Sequence, residues 1–248
     1  MKRRPGPVRR RPAVIAVLAV GLAGTAIALI PRHDPAPAAA PRPPLLLITS
    51  LPLLFGEAFG LDKVGSPALR RLEQHYTVRP IGAADRASLM GQRLLLMAHP
   101  RAQPAELLVE LDRWVRGGGR LLLLADPKLD WPSRLPLGDR LRPPPEFADT
   151  GLLKHWGLVL DGPEPDGPAS LYAGGDVIAT ASPGRLRIED KSGCALDAGG
   201  FIARCAIGRG RAVIIADADF LDVGDAATNS GRNLDLLDRE LKALSAPD

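Results

Sequence analysis

Aromatic residues make up only 4% of this sequence, although 46% of it is hydrophobic. A core must therefore be assembled from Leu, Val, Ile and Ala. There are just two cysteines, Cys194 and Cys205, too few alone for a structural zinc site. Clustered cations are missing beyond residue 12. Six positive charges fall within residues 1–12, so the formal +4 of the whole chain becomes −2 over residues 13–248. A phosphate-binding surface needs grouped cations, so nucleic acid is not expected as a partner. The sequence also lacks G-x-x-x-x-G-K-[ST] and G-x-S-x-G, the phosphate-binding loop and the nucleophile elbow. What remains is 248 residues, enough for one ordinary domain with a short appendage.

The appendage is N-terminal. Residues 1–12 read as a basic cytoplasmic segment. Residues 13–30, "AVIAVLAVGLAGTAIALI", carry no charge. As a helix rising about 1.5 Å per residue they would span about 27 Å, close to a bilayer core. The preceding arginines would keep the N-terminus in the cytoplasm. Two readings stay open, an uncleaved transmembrane anchor and a cleaved signal peptide. Both place the domain outside the cytoplasm, and the first gives a single-pass protein of the inner membrane with its domain in the periplasm. Residues 31–44, "PRHDPAPAAAPRPP", read as a semi-rigid Pro/Ala linker. In an oxidising compartment Cys194 and Cys205, which flank a candidate hairpin, could form a disulfide; two small buried hydrophobes is the alternative.

Residues 45–248 alternate between strands and helices. "LLLITSL", "RLLLMAHP", "RLLLLADP" and "RAVIIADADF" are apolar on both faces, as buried parallel strands are. "TVRPIG" reads as an edge strand, because Pro80 cannot donate to a ladder. "SPALRRLEQHY" has Ser66 as N-cap and Pro67 at the first helical position. A second helix puts Leu107, Leu108, Leu111, Trp114 and Val115 on one face and stops at Gly117. A third begins near Ser230, with Leu234, Leu237, Leu241 and Leu244 aligned. "FADTGLLKHWGL" reads as a helix ending near Gly157, after a long loop over 128–146. Short alternating runs over about 158–207 suggest a small antiparallel β insertion. The expected fold is a three-layer α/β/α sandwich with a mostly parallel central sheet.

Candidate chemistry collects at the carboxyl ends of these strands, the edge where such sheets bind ligands. Thr49, Ser50, Glu57, His99, Asp126, Asp217, Asp219 and Asn233 are the candidate ligand-binding residues. Ser50, His99 and Asp126 could form a hydrolase triad, though the elbow is missing. Asp217 and Asp219 form Asp-x-Asp, able to chelate a divalent cation with Asp126. The alternative is structural, since a strand-end aspartate can accept backbone N–H bonds and hold the next turn. No cofactor or committed metal site is expected. Leu53, Leu54 and Phe55, with Trp131 and Trp156, are either buried under loops or offered to a partner.

Two stretches, "RAQPAELLVELDRWVRGGGRLLLLADP" and "GRGRAVIIADADFLDVGDAATNSGRNLDLLDREL", resemble segments of GldG-like proteins, auxiliary subunits of gliding-type ABC transporters. The second carries Asp217, Asp219, Phe220 and, opening the last helix, Asn233. That resemblance implies a flavodoxin-like fold of the class I glutamine-amidotransferase type. The catalytic G-x-C-x-G of amidotransferases is missing, which implies a non-catalytic copy. By the same resemblance the protein would be a membrane-held accessory domain, partnered by an ABC transporter or envelope protein. The rival expectation is a hydrolase or metal-dependent enzyme using the strand-end acids.

Overall fold

Four apolar runs become the central strands. The computed structural model describes residues 41–55, 65–189, 193–223 and 230–246. The main sheet contains β1 (Pro44–Thr49), β2 (Thr77–Pro80), β3 (Leu94–Ala98), β4 (Arg120–Leu124), β9 (Cys194–Asp197), β10 (Ile202–Ile207) and β11 (Gly210–Ile215). Their spatial order is β2-β1-β3-β4-β11-β10-β9. The first five run parallel, with Leu122 opposite Val213 in the central pair. Counting β11 as the fifth strand, this is the 2-1-3-4-5 order of flavodoxin-like folds.

Both faces are covered, as the unbroken apolar runs require. Alternation sends Leu45, Leu47, Leu96, Leu122 and Val213 to one face. There they meet Leu72 of α1 (Pro67–His75) and Leu237 and Leu241 of α5 (Ser230–Ser245). Leu46, Leu95, Leu121 and Ile214 face the other layer. Leu89 of α2 (Arg86–Leu89) and Leu111 and Val115 of α3 (Ala105–Arg116) cover them. Ser66 caps α1 by accepting from the Leu69 N–H at 3.0 Å. Arg71 of α1 pairs with Asp235 and Asp238 of α5, joining the two helices on that face.

Between β4 and β11 the chain leaves the sheet. A short helix α4 (Leu152–His155) is followed by two separate antiparallel pairs. One joins β5 (Leu158–Asp161) to β8 (Arg185–Ile188); the other joins β6 (Pro168–Ala173) to β7 (Asp176–Ala181). The β6–β7 turn is Gly174-Gly175, both with positive φ, as a two-residue hairpin requires. The rest of the expected insertion, β9 and β10, extends the main sheet antiparallel to β11. α4 is a single turn, shorter than the helix read from "FADTGLLKHWGL".

Cys194 and Cys205 lie opposite each other in the β9–β10 ladder and are bonded, with 11 residues of sequence separation. Reduction is expected to cost about 3 kcal/mol through the freed loop of the unfolded chain. Urea melts with and without reductant check this, and identical midpoints would show that ladder pairing alone carries the edge.

The membrane expectation requires correction. Among the described residues no helix is long and apolar enough to cross a membrane. Residues 13–30, on which the anchor, the inner-membrane location and the periplasmic domain rested, lie outside the described residues, as do residues 1–12 and most of the linker. The membrane partner, the single-pass topology and the location are therefore withdrawn. The final residue of the linker, Pro44, is already the first of β1.

Candidate functional site

The carboxyl ends of β1 and β3 flank the point where strand order reverses, the usual binding crevice of this topology. Here the chain fills it. Ser50 donates its hydroxyl to the main-chain oxygen of His99 at 2.5 Å. Thr49 Oγ1 accepts from the Leu51 N–H at 2.9 Å. His99 leaves β3 with a left-handed φ of 46°. Its buried ring donates from Nε2 to Pro144 O at 2.9 Å, and Nδ1 has no partner among the described residues. Burial holds its pKa below the ordinary value, so the ring is neutral. The long loop after β4 closes the top: Arg101 donates to Arg140 O and Arg142 O, and Phe147 N–H donates to Asp126 O. A triad needs the imidazole to face the serine oxygen. Ser50 instead contacts the backbone of His99, and the ring points to Pro144, so no relay through Asp126 exists.

Asp126, Asp217 and Asp219 come together one strand further along. Asp126 follows β4, and the other two follow its neighbour β11. Their carboxylates cross-tie the two exits. Asp126 accepts from Lys128 N–H at 2.9 Å within its own loop and from Ala218 N–H at 2.8 Å across the gap. Asp219 returns the tie by accepting from Asp130 N–H at 2.7 Å. Asp217 Oδ1 accepts from Phe220 N–H at 2.9 Å and from the Thr180 hydroxyl at 2.6 Å. Its Oδ2 is buried without a partner among the described residues. The strand ends at Ile215, so Asp-x-Asp is not extended and the two side chains serve different segments.

Burial dominates the electrostatics. It pushes the Asp126 carboxyl up to about 6, with the Asp130 charge adding and the backbone N–H donors opposing. Burial and then the neighbouring Asp126 charge hold Asp217 well above the usual range. Burial, with Asp126, Asp130 and Asp222 nearby, raises Asp219 to about 7. Among the described residues no three acids, histidines or cysteines are grouped to hold a metal ion. The chelating expectation for Asp126, Asp217 and Asp219 therefore has no coordination geometry behind it.

Asn233 is inside α5 rather than at its cap. Its amide donates to Ala179 O at 2.7 Å and Phe220 O at 2.8 Å, and its oxygen accepts from Ala179 N–H at 3.2 Å. It fastens the β6–β7 hairpin to the turn after β11. Glu57 lies outside the described residues. Leu53 is buried and Leu54 packs against the core, whereas Phe55 is 78% exposed. Trp156 is buried and donates to Asp112 Oδ1 at 2.9 Å, and Trp131 packs on the core edge.

An open cleft of about 240 Å³ lies beside the acids, lined by Asp130, Ala179, Thr180, Ala181, Asp219 and Asp222. Sequence reading passed over Asp130, Thr180 and Asp222. Asp130 stands four residues after Asp126 in "ADPKLDW", an acid spacing that could have drawn it in. Thr180, in "DVIATA", gives no such signal.

No family model matches the chain, and no curated protein matches it. In solved structures the chain is similar to the mmIFT52 N-terminal domain, at 13% identity and a TM-score of 0.55, covering 83% of this chain and 98% of that one. It is also similar to an exo-beta-1,4-mannosidase, Op5Man5 from Opitutaceae bacterium strain TAV5, at 12% identity and a TM-score of 0.51. That match covers 84% of this chain but only 37% of the mannosidase. A third likeness is to Cytoplasmic Protein STM3548 from Salmonella typhimurium, at 10% identity and a TM-score of 0.51, covering 81% and 98%. Identities this low show the α/β fold alone. With no family model matching, the GldG-like resemblance stands only on its two quoted stretches, and the ABC-transporter association is withdrawn.

Proposed function

We propose that this chain is a non-enzymatic accessory domain that binds a partner, with its strand-end acids acting as internal ties. The observation that carries the reading is the filled switch-point crevice. Ser50 is spent on the His99 carbonyl, and His99 on Pro144. The fold is consistent with a module, since it matches one whole separate domain and a portion of a longer glycosidase.

One observation favours the rival reading, an enzyme using these acids. Asp219 titrates at about 7 beside an open cleft, where a general acid would be poised near neutral pH. A panel of ester, phosphomonoester and aryl-glycoside substrates decides between the two. Turnover is expected to stay at the buffer rate in the wild type and in Asp219→Asn. Turnover above buffer that falls at least tenfold in Asp219→Asn would establish the enzyme instead.

A further inference from the structure

The opposite, amino edge of the sheet has a different character. A cleft of about 580 Å³ opens there between the loop entering β3 and the end of α3. That is within the range of about 300–1,000 Å³ typical of ligand pockets. Three arginines, Arg86, Arg93 and Arg113, line it, with Glu110 as the one acid. Glu110 is engaged by Arg113. Arg86 and Arg93 have no acidic partner among the described residues, so the cleft keeps two uncompensated positive charges. Its floor is the glycine run 117–119. A Cβ at Gly119 would collide with the Trp114 indole, and Gly118 holds φ at 112°. The glycines therefore let the ring lie flat against the backbone. Trp114 Nε1 donates to Gln92 O at 3.1 Å, which fixes this wall to the opposite one. Between the two cations in sequence, Met90 is 73% exposed, whereas Leu89 is buried in the core.

We propose that this cleft binds a short acidic peptide segment, with carboxylates on Arg86 and Arg93 and an intervening apolar side chain on Met90 and Trp114. Guanidinium groups pair with carboxylates in a two-pronged geometry. An unpaired arginine gives up less on binding than one already bridged. The apolar strip between the charges favours a peptide over an acidic polysaccharide, which has no side chain to place there. The inference rests on the accessory-domain reading, because it assigns binding without chemistry.

The test uses the full chain and a fluorescein-labelled Glu-Leu-Asp peptide blocked at both ends, read by anisotropy. Binding is expected to weaken at least tenfold in Arg86→Gln and in Arg93→Gln, and to weaken with added salt. Both side chains are exposed, and unchanged thermal melts verify that the variants fold. The Gln-Leu-Asn peptide should not bind. Absent binding, or binding indifferent to both arginines, overturns the proposal, as does equal binding of oligogalacturonate. Cleavage of the peptide would overturn the accessory-domain reading, whereas lost binding without cleavage would overturn only the cleft assignment.

Discussion

Stability is expected to fall, by on the order of 4 kcal/mol, as pH rises from 5 to 8. The cause is the buried acids. The folded chain keeps Asp126 and Asp219 protonated up to about 6 and about 7, respectively. An unfolded aspartate releases its proton near about 3.9. Over that interval unfolding releases protons, and raising the pH favours it. The contribution is complete below the unfolded value and is lost as pH passes through the two folded values. More acidic conditions bring the opposite effect from surface pairs. Arg187 holds Asp161, and Arg204 holds Asp197, below the usual carboxylate range. Their stabilisation disappears as pH falls from the unfolded value through those lowered values, so the optimum lies near about pH 4. Urea unfolding at four pH values measures the slope, and stability rising between 5 and 8 would refute the assignment. Asp217→Asn sharpens the test. The amide oxygen can still accept from Thr180 and Phe220, and the charge beside Asp126 is gone. This variant should flatten the slope and gain about 1–2 kcal/mol at pH 8, whereas Asp217→Ala should lose about 2–3 kcal/mol by orphaning both donors.

Gly210→Ala is expected to cost about 3 kcal/mol or more, the upper end for overpacking. A Cβ there would strike the main-chain oxygens of Val115 and Gly119. Backbone atoms cannot rotate aside as a flexible side chain can. The end of α3, the glycine run and the start of β11 would all have to separate. Circular dichroism melts of the variant measure the loss; an unchanged midpoint would mean that the turn shifts freely. The neighbouring Gly208, at φ 60° and close against Arg116, explains why the stretch carries two glycines.

Much of this architecture could be read from residues. The four apolar runs are too long and too uniform for half-exposed strands, and they occupy the parallel centre. Pro80 does mark an edge strand. The runs "RLLLLADP" and "RAVIIADADF" do carry Asp126 and Asp217 off the ends of neighbouring strands, because both runs are apolar on both faces and pair in parallel. Other features could not be read. The burial of His99 depends on Pro144, 45 residues away, and no local pattern announces it. The assignment of β9 and β10 to the main sheet is a matter of pairing, which periodicity does not specify. The amino-edge cleft was missed for the same reason. It draws on residues 86–93, 110–114 and 117–119, and each of those segments alone reads as an ordinary helix or turn.

The interior position of β11 has a consequence for biosynthesis. β4 ends at Leu124, and its inner neighbour begins at Gly210. A nascent chain must therefore expose one flank of β4 until this late strand leaves the ribosome. Such an unpaired flank is a template for self-association. Truncation anywhere before Gly210 would leave that flank permanently bare, so shortened products should accumulate in inclusion bodies, not as smaller folded proteins.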